Sequence, residues 1–183
     1  IAHGGPRTSR QAGPLKETAL PRELLLGDRV SIEVVPAQFL ELVGMRHALG
    51  SNQPSGMMIT AVSGVAATSG EASGFLMAGY LLNNDVEIAD EFENLRGSAL
   101  ALYLGPRRIS TDSRERAGKR RLDDSLPPAI EEQVFKEKRE VFRQIQSGGY
   151  QFFASYAPIF NGQTEVIGVL FLGRSAAPYV TLR

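Results

Sequence analysis

The stretch Tyr150–Gly173, YQFFASYAPIFNGQTEVIGVLFLG, decides how this chain folds. β-branched and aromatic residues fill Tyr150–Phe160 and Val166–Gly173, and Asn161-Gly162 between them is a hairpin signal. Just upstream, Glu140–Gln146 reads as a further strand, turned onto Tyr150–Phe160 by Ser147-Gly148-Gly149. Three strands joined by tight hairpins form an antiparallel meander.

The same pattern occurs earlier. Met57–Gly79 lies over Gln151–Gly173 without a gap at an offset of 94 residues. Gly74-Phe75-Leu76-Met77-Ala78-Gly79 falls on Gly168-Val169-Leu170-Phe171-Leu172-Gly173, and Glu71 on Glu165. Both copies read as strand, Gly-bearing turn, strand, which points to two similar modules. Met57–Ala67 and Ser73–Leu82 are the two earlier strands, joined through Gly70. A strand Val30–Val35 and a helix from Pro36 to about Leu49, capped by Gly50, precede them. Residues 5–18 read as a polar loop, and Pro21–Gly27 as a short helical turn. Ile1-Ala2-His3-Gly4 reads as the end of a strand, so a fragment lacking its natural N-terminal part is expected.

The clearest helix is Asp85–Arg96, with Asn84 and Glu87 in a capping-box pattern and Gly97 as its stop. Val86, Ala89, Phe92 and Leu95 form its apolar stripe. Ser98–Leu104 and Arg108–Thr111 are strands about Gly105-Pro106, and a charged loop Arg107–Asp124 follows. Pro127 and Pro128 suit the first turn of a helix reaching about Lys138, with Ile130, Val134 and Phe135 on its apolar side. The expected organisation is a distal module over 1–83, a connecting helix over 84–97 and a second module over 98–183. The class is α+β: PAS-like five-stranded antiparallel sheets with helices on one face, two in tandem, the distal one incomplete. Such a sheet leaves a concavity beneath its helix that suits a small ligand.

Composition narrows function. The chain has 183 residues, 20 Lys+Arg against 20 Asp+Glu, no Cys and two His. Thiolate metal sites, disulfides and Cys nucleophiles are excluded, and His-based metal sites and triads are poorly supplied. Zero net charge argues against nucleic-acid binding. No phosphate loop, nucleophile elbow or dinucleotide fingerprint is present. No enzyme activity, metal or cofactor is expected. The longest apolar runs, Gly74–Leu82 and Val166–Gly173, fall far short of the ~20 residues of a membrane helix.

Tyr150, Phe152, Ala154 and Tyr156 share one strand face by alternation. A Tyr hydroxyl there could orient a carboxylate or carbonyl, and the alternative is a packed sheet face. Arg143, between Phe142 and Gln144, could clamp an anion in two-pronged fashion or face solvent. Arg108 and Tyr103 are candidates of the same kind. The candidate ligand-lining set is thus Tyr103, Arg108, Phe142, Arg143, Phe152 and Tyr156. The basic run Arg107, Arg108, Arg114, Arg116, Lys119, Arg120 and Arg121 reads as a solvated loop, with an anion or lipid-headgroup site as the alternative.

Arg108-Ile109-Ser110-Thr111-Asp112, Gly118-Lys119-Arg120 and SYAPIFNGQTEVIGVLFLG, ending at Gly173, resemble the Cache family of extracytoplasmic sensor domains. In that family a Y-x-P-I…V-I-G-V-L-F-x-G motif closes the membrane-proximal module. SIEVVP and GFLMAGYLLN in the first half resemble the end of a membrane-distal module, which makes the chain similar to a double-Cache sensor. The tail Ala176-Ala177-Pro178-Tyr179 resembles the junction to a membrane helix. The resemblance implies a periplasmic ligand-sensing input domain of a bacterial transmembrane histidine kinase. It also implies flanking membrane helices outside these residues, a homodimer and a small-molecule ligand, with organic acids among the candidates. A chemotaxis-receptor sensor and a cytosolic PAS-like regulatory domain are the alternatives. The Tyr/Arg/Trp/Asp signature of the amino-acid-binding double-Cache group is absent.

Overall fold

In a computed structural model, residues 29–49, 53–66, 72–96, 98–114, 118, 120–122, 124–147 and 150–176 are described. The readings made for residues 1–28, Gly50, Ala67–Glu71, Gly97, Arg116 and Lys119 of the basic run, Gly148-Gly149 and the tail from Ala177 lie outside them. Among the described residues, eight strands and three α-helices follow in the order β1 (Arg29–Pro36), α1 (Ala37–Leu42), β2 (Ser55–Ala66), β3 (Ala72–Leu81), α2 (Val86–Arg96), β4 (Ser98–Leu104), β5 (Arg107–Thr111), α3 (Pro128–Phe135), β6 (Val141–Ser147), β7 (Tyr150–Phe160) and β8 (Val166–Ser175). They form a three-stranded sheet, β1-β2-β3, and a five-stranded sheet, β5-β4-β8-β7-β6, with antiparallel pairing throughout. The expected mixed α+β, PAS-like architecture is the one observed.

The hairpin repeat is present in the backbone pairing itself. Met58 faces Leu81, and 94 residues on, Phe152 faces Ser175. The register shifts between Val65 and Ala66 in one pair and between Ile159 and Phe160 in the other, again 94 apart. Register is fixed where one face is buried, because a one-residue slip turns every side chain over. Two hairpins sharing a register and a bulge therefore share a facing pattern. They differ in what lies alongside. β8 carries β4 on its far side, whereas β3 ends its sheet among the described strands.

Sheet faces dictate the cores. Ala101, Tyr103, Val169, Ala154, Tyr156 and Val141 point to one face of the large sheet and pack with Ile130 and Val134 of α3. Leu100 and Leu102 alternate to the other face, where they meet Ala89 of α2. α3 thus covers one face, while the connecting helix lies on the other. A third cluster, of Val35, Phe39, Leu40, Leu49, Met58 and Leu81, closes α1 onto the small sheet. The cluster around α2 also takes in Met57 and Leu82, so the two sheets meet through one shared apolar layer.

Three local expectations shift. The helix expected to run to Leu49 stops at Leu42; Gly44 takes φ 74°, and a 3-10 turn over Arg46–Ala48 follows. The cap of α2 is Asp85, whose Oδ1 accepts from Glu87 N (2.9 Å) and Ile88 N (3.3 Å). Asn84 sits at φ 56° and donates instead to the Ala48 carbonyl at 2.9 Å, tying the start of α2 to the end of the 3-10 turn. In the β7–β8 turn, Thr164 rather than Gly162 takes the left-handed conformation, at φ 65°. Asn161 Oδ1 builds that turn by accepting from Gln163 N (3.0 Å) and Glu165 N (2.8 Å). Gly162 serves a different need. Its N–H donates to the buried Glu33 carboxylate of β1 (3.2 Å), which also takes Arg29 Nη2 at 2.8 Å. No helix among the described residues is long and apolar enough to cross a membrane.

Candidate functional site

β4 and β5 bring the first pair of candidates together. Gly105, at φ 55°, turns the chain so that Tyr103 and Arg108 become cross-strand partners. Arg108 Nε and Nη2 both donate to the Tyr103 hydroxyl, at 3.0 and 2.7 Å. The guanidinium also lies over the Tyr103 ring, 5.3 Å from its centroid, a cation–π geometry. Its remaining prong, Nη1, donates to the Arg121 carbonyl and to Asp124 Oδ2, each at 3.0 Å. Arg121 Nη2 meets the same carboxylate oxygen at 3.1 Å.

Tyr156, on β7, belongs to the same buried cluster as Tyr103 and stacks at a tilt on Phe171, with ring centroids 5.1 Å apart. Burial pushes both phenols above the ordinary tyrosine range. For Tyr103 the Arg108 charge pulls in the opposite direction. Both rings therefore stay neutral and able to donate hydrogen bonds. Phe152 lies on the same face, farther along β7 and half-buried. The space between sheet and α3 holds a packed aromatic core around these phenols.

The other two candidates go elsewhere. Arg143 is exposed at the sheet edge, donating from Nη2 to Gln133 Oε1 on α3 (2.9 Å) and from Nη1 to the Phe142 carbonyl (3.0 Å). Phe142 alternates to the opposite face and is 66% exposed. It opens on an apolar groove of about 450 Å³ beside Phe92, Phe153 and Leu172. The sequence thus placed six residues on one site, and the structure joins Tyr103, Arg108 and Tyr156, keeps Phe152 nearby, and separates Phe142 and Arg143.

Asp124 and Asp90 were missed. Of the basic run, Arg108, Arg114, Arg120 and Arg121 are paired with carboxylates rather than simply solvated. Arg120 donates from Nη1 to the Thr111 carbonyl (2.7 Å) and pairs through Nη2 with Asp90 of α2 (2.5 Å). That hydrogen bond holds the Asp90 carboxyl below its ordinary range. Asp124 closes the charged loop in sequence and Asp90 lies on the polar side of α2, but their arginine partners are 16 and 30 residues away. Among the described residues no three His, Asp or Glu side chains converge to hold a metal.

The sheet order and the helix packed on one face define a PAS-like fold. The family model for single Cache domain 3 matches residues 80–183, more than half of the chain. The chain belongs to that family and is a sensor domain of the Cache type. Among solved structures it is similar to the periplasmic domain of Vibrio cholerae LuxQ (TM-score 0.48, 10% identity), over 84% of this chain and 57% of that one. It is also similar to the extracellular domain of the putative histidine kinase rpHK1S-Z16 (TM-score 0.38, 9% identity), over 88% of this chain and 61% of that one. The chain thus spans less than two thirds of either structure's length. No curated protein matches.

Proposed function

We propose that the chain is the ligand-sensing input domain of a bacterial transmembrane receptor, most simply a histidine kinase, lying outside the cytoplasmic membrane. Its ligand is a small organic acid, held at Arg108 beside the phenols of Tyr103 and Tyr156. The full receptor is anchored by membrane helices beyond these residues and works as a homodimer. Residues 1–83 and 98–183 act as two modules joined by α2, so that a change at one sheet reaches the other. The observation that carries the reading is a mostly buried guanidinium, 15% exposed, held by a buried phenol inside a Cache fold. A fixed arginine fork is the side chain best matched to a carboxylate.

Binding one of two packings better than the other shifts their populations. A differential of ~1–3 kcal/mol suffices for a useful response. The test is a thermal-shift screen against organic acids, amino acids and purines. A ligand at about 100 times its Kd adds roughly 2.7 kcal/mol, a readily seen upward shift. The reading expects an organic acid to give that shift and Arg108→Met to remove it. A shift that persists in Arg108→Met would place the ligand elsewhere.

A further inference from the structure

Arg108 is already bound to a carboxylate, and that carboxylate belongs to the protein. Nη1 of Arg108 holds Asp124 Oδ2, while the Tyr103 hydroxyl occupies Nε and Nη2. The pair is asymmetric. The Arg108 side chain is 15% exposed and fixed by Tyr103, whereas Asp124 approaches from the solvent side and is 37% exposed. The backbone fixes this approach, since Arg108 N donates to the Asp124 carbonyl at 3.1 Å. Asp124 also has a second cation at hand, Arg121 Nη2 at 3.1 Å. A carboxylate displaced from Arg108 would therefore stay paired, which removes most of the penalty that normally opposes breaking a half-buried ion pair.

We propose that Asp124 is a built-in stand-in for the ligand's carboxylate, and that exchange of one carboxylate for the other on Arg108 is the switching event, passed through Arg121 and Arg120 to Asp90 on α2. The path is continuous. Arg108 Nη1 also holds the Arg121 carbonyl, and the adjacent Arg120 bridges the Thr111 carbonyl to Asp90. A ligand that takes Nη1 competes for both contacts. The Arg121 backbone is then free to shift, and Arg120 with it. α2 is where the signal is useful, because Ala89 packs in the layer shared by both sheets.

This inference rests on the carboxylate reading above and is tested apart from it. Acetate and succinate are titrated by NMR into wild type, Asp124→Asn, Asp124→Ser, Arg108→Met and the double variant Arg108→Met/Asp124→Asn. If the stand-in occupies Arg108 nine-tenths of the time, removing it tightens binding about 10-fold. That gain is expected in Asp124→Asn and Asp124→Ser and is expected to vanish in the double variant. Hydrogen exchange over α2 should rise on adding succinate to wild type, and Asp90→Asn should abolish that rise while succinate still binds. Wild type and Asp124→Asn binding either acid equally well, or the variant binding more weakly, overturns the stand-in while leaving a carboxylate sensor in place. No binding by any form overturns both.

Discussion

Gly168→Ala offers the sharpest test of how the two hairpins differ. Gly74 and Gly168 occupy equivalent positions, 94 residues apart, in β3 and β8. A Cβ on Gly74 would meet nothing within 4 Å. A Cβ on Gly168 would lie 2.1 Å from the Tyr103 carbonyl oxygen of β4 and 2.4 Å from Cε of Met57. The methionine end can swing aside, but the carbonyl belongs to a backbone paired with β8 from Ser98 to Leu104. Real Cβ contacts stay above about 3.0 Å, so β4 and β8 would have to part by roughly 1 Å inside a close-packed layer. Overpacking of this kind costs about 1–3 kcal/mol, and a backbone obstacle puts Gly168→Ala near 3 kcal/mol. For a chain of this size, that is a fall in Tm of about 6–12 °C. Gly74→Ala should be neutral or stabilising by about 0.5 kcal/mol, through a less flexible unfolded chain. Thermal and urea unfolding followed by circular dichroism would measure both variants. Equal effects at the two glycines, or a Gly168→Ala cost under about 0.5 kcal/mol, would refute the pairing of β4 against β8 as the cause.

Three further outcomes are expected. Asp85→Ala removes the carboxylate that caps α2 and should cost about 1 kcal/mol in urea unfolding, with Asp85→Asn costing much less. Glu33→Ala leaves the Gly162 N–H and Arg29 without their shared acceptor at the contact between the two sheets. It should cost about 2 kcal/mol, and Glu33→Gln, which keeps an acceptor oxygen, should be milder. Burial raises the Asp112 carboxyl, outweighing its hydrogen bond from Leu100 N, with the Glu93 charge adding to the rise. The folded state thus holds that proton more tightly than the unfolded one, so stability is greatest below the ordinary value of 3.8 and is lost as pH rises through the raised one. Asp112→Asn should gain on wild type as pH climbs from about 4 to 7, and denaturation at several pH values checks the slope.

The local patterns told much of this fold. Alternation and turn residues placed all eight strands to within a few residues, because a half-buried strand must alternate and a tight turn needs Gly, Asn or Asp. The gap-free match of Met57–Gly79 with Gln151–Gly173 extended to register and bulge, because facing pattern and pairing are two views of one constraint. Tyr103 and Arg108 were legible as single candidates on the two arms of the Gly105 turn, and only the register made them partners. The limits have equally local causes. Asp85 outcompeted Asn84 as the cap of α2, since Asn84 is drawn into the left-handed conformation by its bond to Ala48 across the chain. Phe142 and Arg143 were grouped with Tyr156, but Phe142 alternates to the opposite face, and Arg143, on the α3 face, lies exposed on the edge strand β6, where it bonds Gln133 instead.

What the sequence by itself determined was the set of strands, the repeat between the two hairpins, and the Gly105 turn with Tyr103 and Arg108 on its two arms. These depend on residues a few positions apart, or on periodicity that repeats along the chain. Only the tertiary structure decided that β4 inserts beside β8, that α2 and α3 take opposite faces, and that Asp124 and Asp90 close on arginines 16 and 30 residues away. Those choices come from burying both faces of one sheet at once. An ionic partner brought together by such packing leaves no periodic mark on the chain.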